Sequence, residues 1–97
     1  MGPLQGQNIL IVEPRVDSFV AELQRVLEVA GAESLVVRDA STALTRMDKF
    51  AFTAVVAHID QAAIKDCVAL PTLLYGTADV ERDAHAILAG LAKKFSS

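Results

Sequence analysis

Apolar positions along the chain fall into two patterns, short continuous runs and stretches with helical spacing. The first run, Asn8 to Val12, is almost wholly apolar and rich in β-branched residues, which is typical of a strand buried on both faces of a parallel sheet. Similar runs predict three further strands, at 34–38, 52–57 and 70–75. The four strands are therefore spread along the chain, each separated from the next by a segment of another kind.

Helical spacing marks the segments between the strands. Apolar residues recur every three or four positions from Val16 to Ala30 and again from Val80 to Phe95, and Asp39 is placed to begin a short helix. The segment 60–68 is long enough for only about two helical turns. Strands that alternate with helices, without hairpin turns, predict an α/β fold with a parallel sheet and helices on both faces.

The length of 97 residues predicts a single domain over 8–97. The opening residues are polar and glycine-bearing, without a periodic apolar face, so a flexible segment is expected over 1–7. No internal repeat or interdomain linker is visible.

Composition narrows the class of protein further. The net charge of -3 argues against a nucleic-acid surface, which needs clustered Lys and Arg, and the apolar runs are too short to span a bilayer. The single cysteine, Cys67, cannot form an internal disulfide, so a cytoplasmic protein is expected and a small buried role is expected for Cys67.

Three local strings carry a family resemblance: Asn8 to Glu13, Val37 to Leu44, and Pro71 to Gly76. Their order and spacing resemble the first, second and fourth strands of a response-regulator receiver domain, the signalling domain of bacterial two-component systems. The resemblance runs from about residue 8 to 77 and on through the last helix. It implies a shortened flavodoxin-like sheet of about four strands in the order 2-1-3-4, and it leaves open whether the last helix replaces the fourth or the fifth receiver helix.

The resemblance also implies a dismantled phosphorylation site. Receiver domains phosphorylate an aspartate at the end of the third strand, with a divalent metal held there by acidic residues after the first strand. Glu13 occupies the first acidic position, but Pro14 occupies the second and offers no ligand. His58 occupies the phosphoacceptor position. Gly76 occupies the position at which receiver domains have a hydroxyl residue that contacts the phosphoryl group, and no fifth strand with its phosphate-binding lysine is found. The expected protein is a pseudo-receiver that is no enzyme, binds no metal or cofactor and acts through protein contacts.

Two alternatives remain open at this point. Asp60 lies two residues beyond His58, and an alignment shifted by two would make it the phosphoacceptor of a working phosphorelay receiver, with Mg²⁺ at Glu13 and Asp60. The plainer interpretation of Asp60 is a loop carboxylate that caps the following turn. The second alternative is a small nucleotide or anion binder at the carboxyl ends of the strands, where Arg15 could pair with Glu13 or bind an anion, although no glycine-rich phosphate cradle is present.

The missing fifth strand leads to a prediction about partners. Without it, the fourth strand lies at an open edge of the sheet, and unpaired apolar edges tend to pair with other chains. The interface candidates are Thr72, Leu73, Leu74 and Tyr75. A homodimer or a complex with another signalling protein is therefore expected.

Overall fold

The computed structural model describes residues 2–15, 17–76 and 82–96. Its strands β1 to β4 form one parallel sheet in the order β2-β1-β3-β4, which confirms the predicted α/β class and the shortened flavodoxin-like topology. The strands are β1 (Asn8–Val12), β2 (Glu33–Val37), β3 (Ala54–His58) and β4 (Thr72–Tyr75).

In the described part of the chain, three α-helices and one 3₁₀ segment connect or follow the strands. They are α1 (Ser18–Val29), α2 (Ala40–Met47), the 3₁₀ segment (Ile59–Asp66) and α3 (Ala84–Ser96). An aspartate precedes each α-helix and accepts hydrogen bonds from backbone N–H groups of its first turn: Asp17, Asp39 and Asp83. No helix within the described ranges is long and apolar enough to cross a membrane.

The sheet separates two apolar cores. Helices α1 and α3 pack together over one face, where Ile9 and Ile11 of β1 point, and α2 and the 3₁₀ segment cover the other face, where Leu10 and Val12 point. All four of these β1 side chains are fully buried, as expected for a central strand with neighbours on both faces.

Several element boundaries differ from the predicted ones. Strand β2 lies one residue earlier than predicted, and β3 and β4 each begin two residues later. Just before β3 the Thr53 N–H donates to Asn8 O at 2.8 Å, but the Asn8 N–H donates to the Thr53 hydroxyl and not to a backbone carbonyl. The predicted first turns of the long helices include Val16, Asp79, Val80 and Glu81, which lie outside the described residues.

The opening segment, which was expected from the sequence to be flexible, packs against the domain at Leu4. This side chain is fully buried in the α1/α3 core, its N–H donates to Ala30 O at 2.9 Å, and the Gly6 N–H donates to Gly31 O at 3.2 Å. A single leucine among polar residues has no periodic pattern, which is why the sequence did not indicate this contact.

Cys67 is exposed, which corrects the expectation of a buried thiol. It follows the 3₁₀ segment, and its Sγ lies 3.5 Å from Ala63 O within that same turn. The apolar role in this region belongs to Ile64, which is fully buried against the sheet.

Candidate functional site

Polar side chains collect at the carboxyl end of the sheet, where parallel α/β sheets generally bind ligands. Glu13 follows β1, His58 ends β3 and Tyr75 ends β4. Asp17, at the start of α1, and Arg82, before α3, join the same cluster. Of the residues predicted from the resemblance, Glu13 and His58 both contact Tyr75 here.

Glu13 is the buried acceptor at the centre of this cluster. Its side chain is only 2% exposed, and the Tyr75 hydroxyl donates to Oε1 at 2.7 Å. The Arg15 backbone N–H donates to Oε2 at 3.1 Å, and Arg82 Nη2 lies 3.5 Å from Oε1. A carboxylate can be buried only with partners of this kind, so both oxygens of Glu13 are already engaged within the chain.

Arg82 supplies the positive charge of the site. Its Nη2 donates to Asp17 Oδ2 at 2.9 Å, and its Cζ lies 4.6 Å from the centroid of the Phe19 ring, a distance suited to a cation–π contact. Its Nε is buried without a hydrogen-bond partner in the part of the chain that the structure describes. The guanidinium therefore lies between two carboxylates and an aromatic face.

Tyr75 connects the acidic residue to the aromatic side chains. Its ring lies 5.4 Å from Phe19 and 5.5 Å from His58, the second contact being edge to face. Burial, followed by the hydrogen bond to Glu13 and the nearby negative charge, raises the pKa of the Tyr75 hydroxyl well above its ordinary value. Tyr75 is thus a neutral hydrogen-bond donor at physiological pH.

Asp17 has two roles, as the cap of α1 and as a partner of Arg82. Burial alone would raise its pKa, but hydrogen bonds from Arg82 and from the backbone N–H groups of Val20 and Phe19 outweigh burial and hold the pKa of Asp17 below its ordinary value. The carboxylate consequently stays charged beside Arg82 at neutral pH.

His58 and Asp60 interact with each other more than with the buried carboxylate. The Asp60 N–H donates to His58 Nδ1 at 3.0 Å, so the imidazole ring, and not the Asp60 side chain as predicted, caps the 3₁₀ segment. Asp60 Oδ2 lies 3.4 Å from the same Nδ1 and forms an ion pair only when that nitrogen carries a proton. The Asp60 side chain is 77% exposed.

Gly76 allows the chain to pass close to His58. It has a φ of +91°, and a Cβ at this position would lie 3.1 Å from His58 Nε2. Both the backbone angle and the contact disfavour a side chain here, so the glycine at this position has a local structural reason.

The sequence did not indicate Arg82, although it indicated an arginine at this edge. Arg15, the residue proposed to pair with Glu13, contributes its backbone N–H, while the Arg82 side chain takes the position near the carboxylate. Pro14 is exposed. The available signal was a lone arginine just before the Asp83 cap of α3, and only the fold brings it close to Glu13, 69 residues earlier in the chain.

The described residues show no cluster suited to a metal ion. Within 2–15, 17–76 and 82–96, no three His, Cys, Asp or Glu side chains come together in such an arrangement. The Glu13 carboxylate accepts hydrogen bonds from Tyr75 and Arg15, whereas the Asp60 carboxylate lies 3.4 Å from His58 Nδ1, so the two carboxylates of the alternative Mg²⁺ site have different neighbours.

The predicted interface on β4 offers less apolar surface than expected. Thr72, Leu73 and Tyr75 are already buried within the chain, and Leu74 is half-buried. Strand β4 is nevertheless an edge strand of the sheet, so its outer backbone remains a predicted pairing surface.

Comparison with known proteins gave no similar protein. No family model matches the chain, and neither a curated protein nor a solved structure matches it significantly.

Proposed function

We propose that this chain is a receiver-like signalling module of the two-component type, which acts through protein contacts and is not itself phosphorylated. The proposal assigns it no enzymatic activity and no bound cofactor, and places it in the cytoplasm with a second copy or another signalling protein as partner. Two features support the proposal: the order of the three receiver-like segments along the sequence, and the strand order β2-β1-β3-β4 of the sheet.

The Arg82 guanidinium beside Glu13 is the observation that carries the proposal. In receiver domains a divalent metal beside this acidic position neutralises the charge of the transferred phosphoryl group. Here a fixed cation lies 3.5 Å from Glu13 Oε1 and 2.9 Å from Asp17 Oδ2. A divalent ion at Glu13 would have to displace Arg82 and break the Tyr75 hydrogen bond, so the internal charge pair favours a site closed to metal.

The phosphoacceptor position supports the same conclusion. His58 accepts a backbone hydrogen bond at Nδ1, and its Nε2 faces Gly76. Phosphorylation of Nε2 would place a phosphoryl group against the tight turn after β4, where even a Cβ at Gly76 would lie 3.1 Å from this nitrogen. Contact with a partner requires no such group.

A titration with Mg²⁺ and beryllofluoride, a mimic of a phosphorylated aspartate, tests the proposal. In two-dimensional amide NMR spectra we expect only weak ion effects at Glu13, His58, Asp60 and Gly76. An Arg82→Gln variant, titrated in parallel, shows whether removal of the fixed cation opens the site. Specific, saturable shifts in the unmodified protein would refute the proposal.

The rival function, a working phosphorelay receiver, is favoured by one observation. The Asp60 carboxylate is 77% exposed and accessible to a phosphodonor, whereas Glu13 is buried. Incubation with a small phosphodonor followed by mass spectrometry separates the two functions. A phosphoryl-sized mass gain that is absent in Asp60→Asn would establish the rival, and an unchanged mass is the result we expect.

A further inference from the structure

The amino end of the sheet carries an apolar groove at the edge opposite to the Glu13 cluster. The groove has a volume of about 580 Å³, and its lining includes Leu35 of β2 together with Phe50 and Phe52 from the loop between α2 and β3. Phe50 is 54% exposed, which is unusual for so large an apolar side chain. A second groove shares Phe50 and Phe52, so the apolar surface continues around this loop.

The groove lies beside an unprotected strand edge. Strand β2 pairs with β1 through all five residues without a bulge, and its other side is an edge of the sheet. The Glu33 N–H donates to Gln7 O and Val37 O accepts from Glu13 N–H, so odd-numbered residues bond to β1. By alternation, the backbone groups of Ser34 and Val36 face outward, and no lysine or proline protects this stretch.

The rim of the groove carries one charge of each sign. Glu33 begins β2 and Arg46 lies near the end of α2, and both line the groove. Both side chains are exposed, and neither has an ion-pair partner in the described parts of the chain. In a two-fold symmetric contact the same patch meets itself, so an axis through the groove would place Glu33 of one copy near Arg46 of the other, and the reverse pair would form at the same time.

We propose that this groove is the contact surface for a second copy of the chain, with Phe50 of each copy packed over the partner's groove and the two Glu33–Arg46 pairs at the rim. The inference specifies the partner surface of the proposed contact module and rests on that proposal for its biological role. It moves the expected homodimer contact from the β4 edge to the β2 side of the sheet. A patch of this size is smaller than the roughly 20 to 30 residues a side of standard interfaces, so a weak dimer is expected.

Sedimentation equilibrium between about 10 µM and 1 mM at low salt measures the association. Phe50→Glu should weaken dimerisation at least about 10-fold, since it places a charge in the apolar centre. Val29→Glu is the matched control, because Val29 is 81% exposed on α1 and lies outside the groove. This control should dimerise as the unmodified protein does.

Charge reversal tests the symmetry of the contact. Glu33→Arg and Arg46→Glu should each weaken the dimer by about 3-fold to 10-fold, and the double variant should return to within about 3-fold of the unmodified protein, because both pairs are restored with opposite polarity. Amide NMR spectra of each variant verify folding, and all four substituted positions are exposed.

Three results would overturn the inference: a strict monomer at 1 mM, a dimer insensitive to Phe50→Glu, or single reversals that the double variant does not rescue. Concentration-dependent amide shifts should appear at Leu35 and Phe50, and shifts confined to Thr72–Tyr75 would place the contact on β4 instead. These outcomes are independent of the beryllofluoride test, which reports on the carboxyl end of the sheet.

Discussion

At the scale of single residues, the Glu13 carboxylate links three parts of the chain. It accepts hydrogen bonds from the Tyr75 hydroxyl on β4 and from the backbone N–H of Arg15 in its own turn, and it lies near the Arg82 guanidinium before α3. Removing one partner leaves the buried charge itself without full compensation, which costs more than the pair contributes. This cluster should therefore stabilise the fold as well as close the crevice.

The hydrogen bond between Tyr75 and Glu13 can be measured by a double-mutant cycle. Tyr75→Phe removes the donor and should lower the free energy of unfolding by about 1–2 kcal/mol, and Glu13→Gln, which keeps an acceptor but loses the charge, by about 1–3 kcal/mol. The double variant should show a coupling energy of about 1 kcal/mol. Urea unfolding supplies these values.

Glu22→Gln on the exposed face of α1 is the matched control for this cycle. It makes the same chemical change on a side chain exposed to solvent, and it should alter stability by no more than about 0.5 kcal/mol. Additive effects of the two cluster substitutions would show that the charge of Glu13 does not strengthen the hydrogen bond from the Tyr75 hydroxyl.

The ionisation of Tyr75 makes stability depend on alkaline pH. Its pKa is raised in the folded protein, so the folded state keeps a proton that the unfolded chain releases near pH 10. The stability from this group is complete below about pH 10 and is lost as the pH rises through the raised folded value.

Because Tyr75 is the single tyrosine of the chain, ultraviolet absorbance reports its ionisation directly. We expect no tyrosinate signal at pH 11 while the protein remains folded, and a full signal at the same pH in urea. Tyr75→Phe should flatten the alkaline fall in stability. A folded-state titration near pH 10 would show that the hydroxyl is open to water.

At the scale of elements, the opening segment contributes to the core through one side chain. Leu4 is fully buried between the end of α1 and the core below it, so Leu4→Ala should lower the free energy of unfolding by about 2–5 kcal/mol. Val29→Ala removes exposed aliphatic carbons and should cost less than about 0.5 kcal/mol. If thermal unfolding showed the same stability for Leu4→Ala and the unmodified protein, the opening segment would be flexible, as the sequence predicted.

The elements were predictable wherever a repeated pattern exists. Strand β1 reads as a continuous apolar run because both faces of the sheet are covered, and α1 reads as helix because its buried positions Val20, Leu23 and Leu27 share one face. Leu4 and Cys67 are single residues outside any periodic apolar pattern. Whether each is buried or exposed depends on where segments distant in sequence lie in the fold. The same limit applies at the site: Glu13 and His58 could be placed from strand ends, but Arg82 could not.

At the scale of the whole molecule, the sheet divides the protein into unequal halves. Among the described residues, fifteen are buried in the core under α1 and α3, whereas seven are buried in the core under α2 and the 3₁₀ segment. Helix α2 is also short, with Ala43 as its single buried residue, and the described 3₁₀ segment has a kink at Gln61. Since buried apolar area sets most of the stability of an element, the second half should open first.

Native-state hydrogen exchange tests this order of opening. Amides of α2 and the 3₁₀ segment should exchange through an opening at least about 1–2 kcal/mol less costly than that of β1 and β3, whose amides should exchange only with global unfolding. Ile64→Val in the smaller core should accelerate exchange in α2 and leave α1 unchanged, while Ile87→Val in the larger core should affect α1 and α3. If all amides shared one exchange free energy, the two halves would unfold as a unit. A lower free energy of opening on the α2 side would mean that Phe50 and its loop can adjust to a partner. The Glu13–Tyr75–Arg82 cluster at the opposite end of the sheet would remain undisturbed.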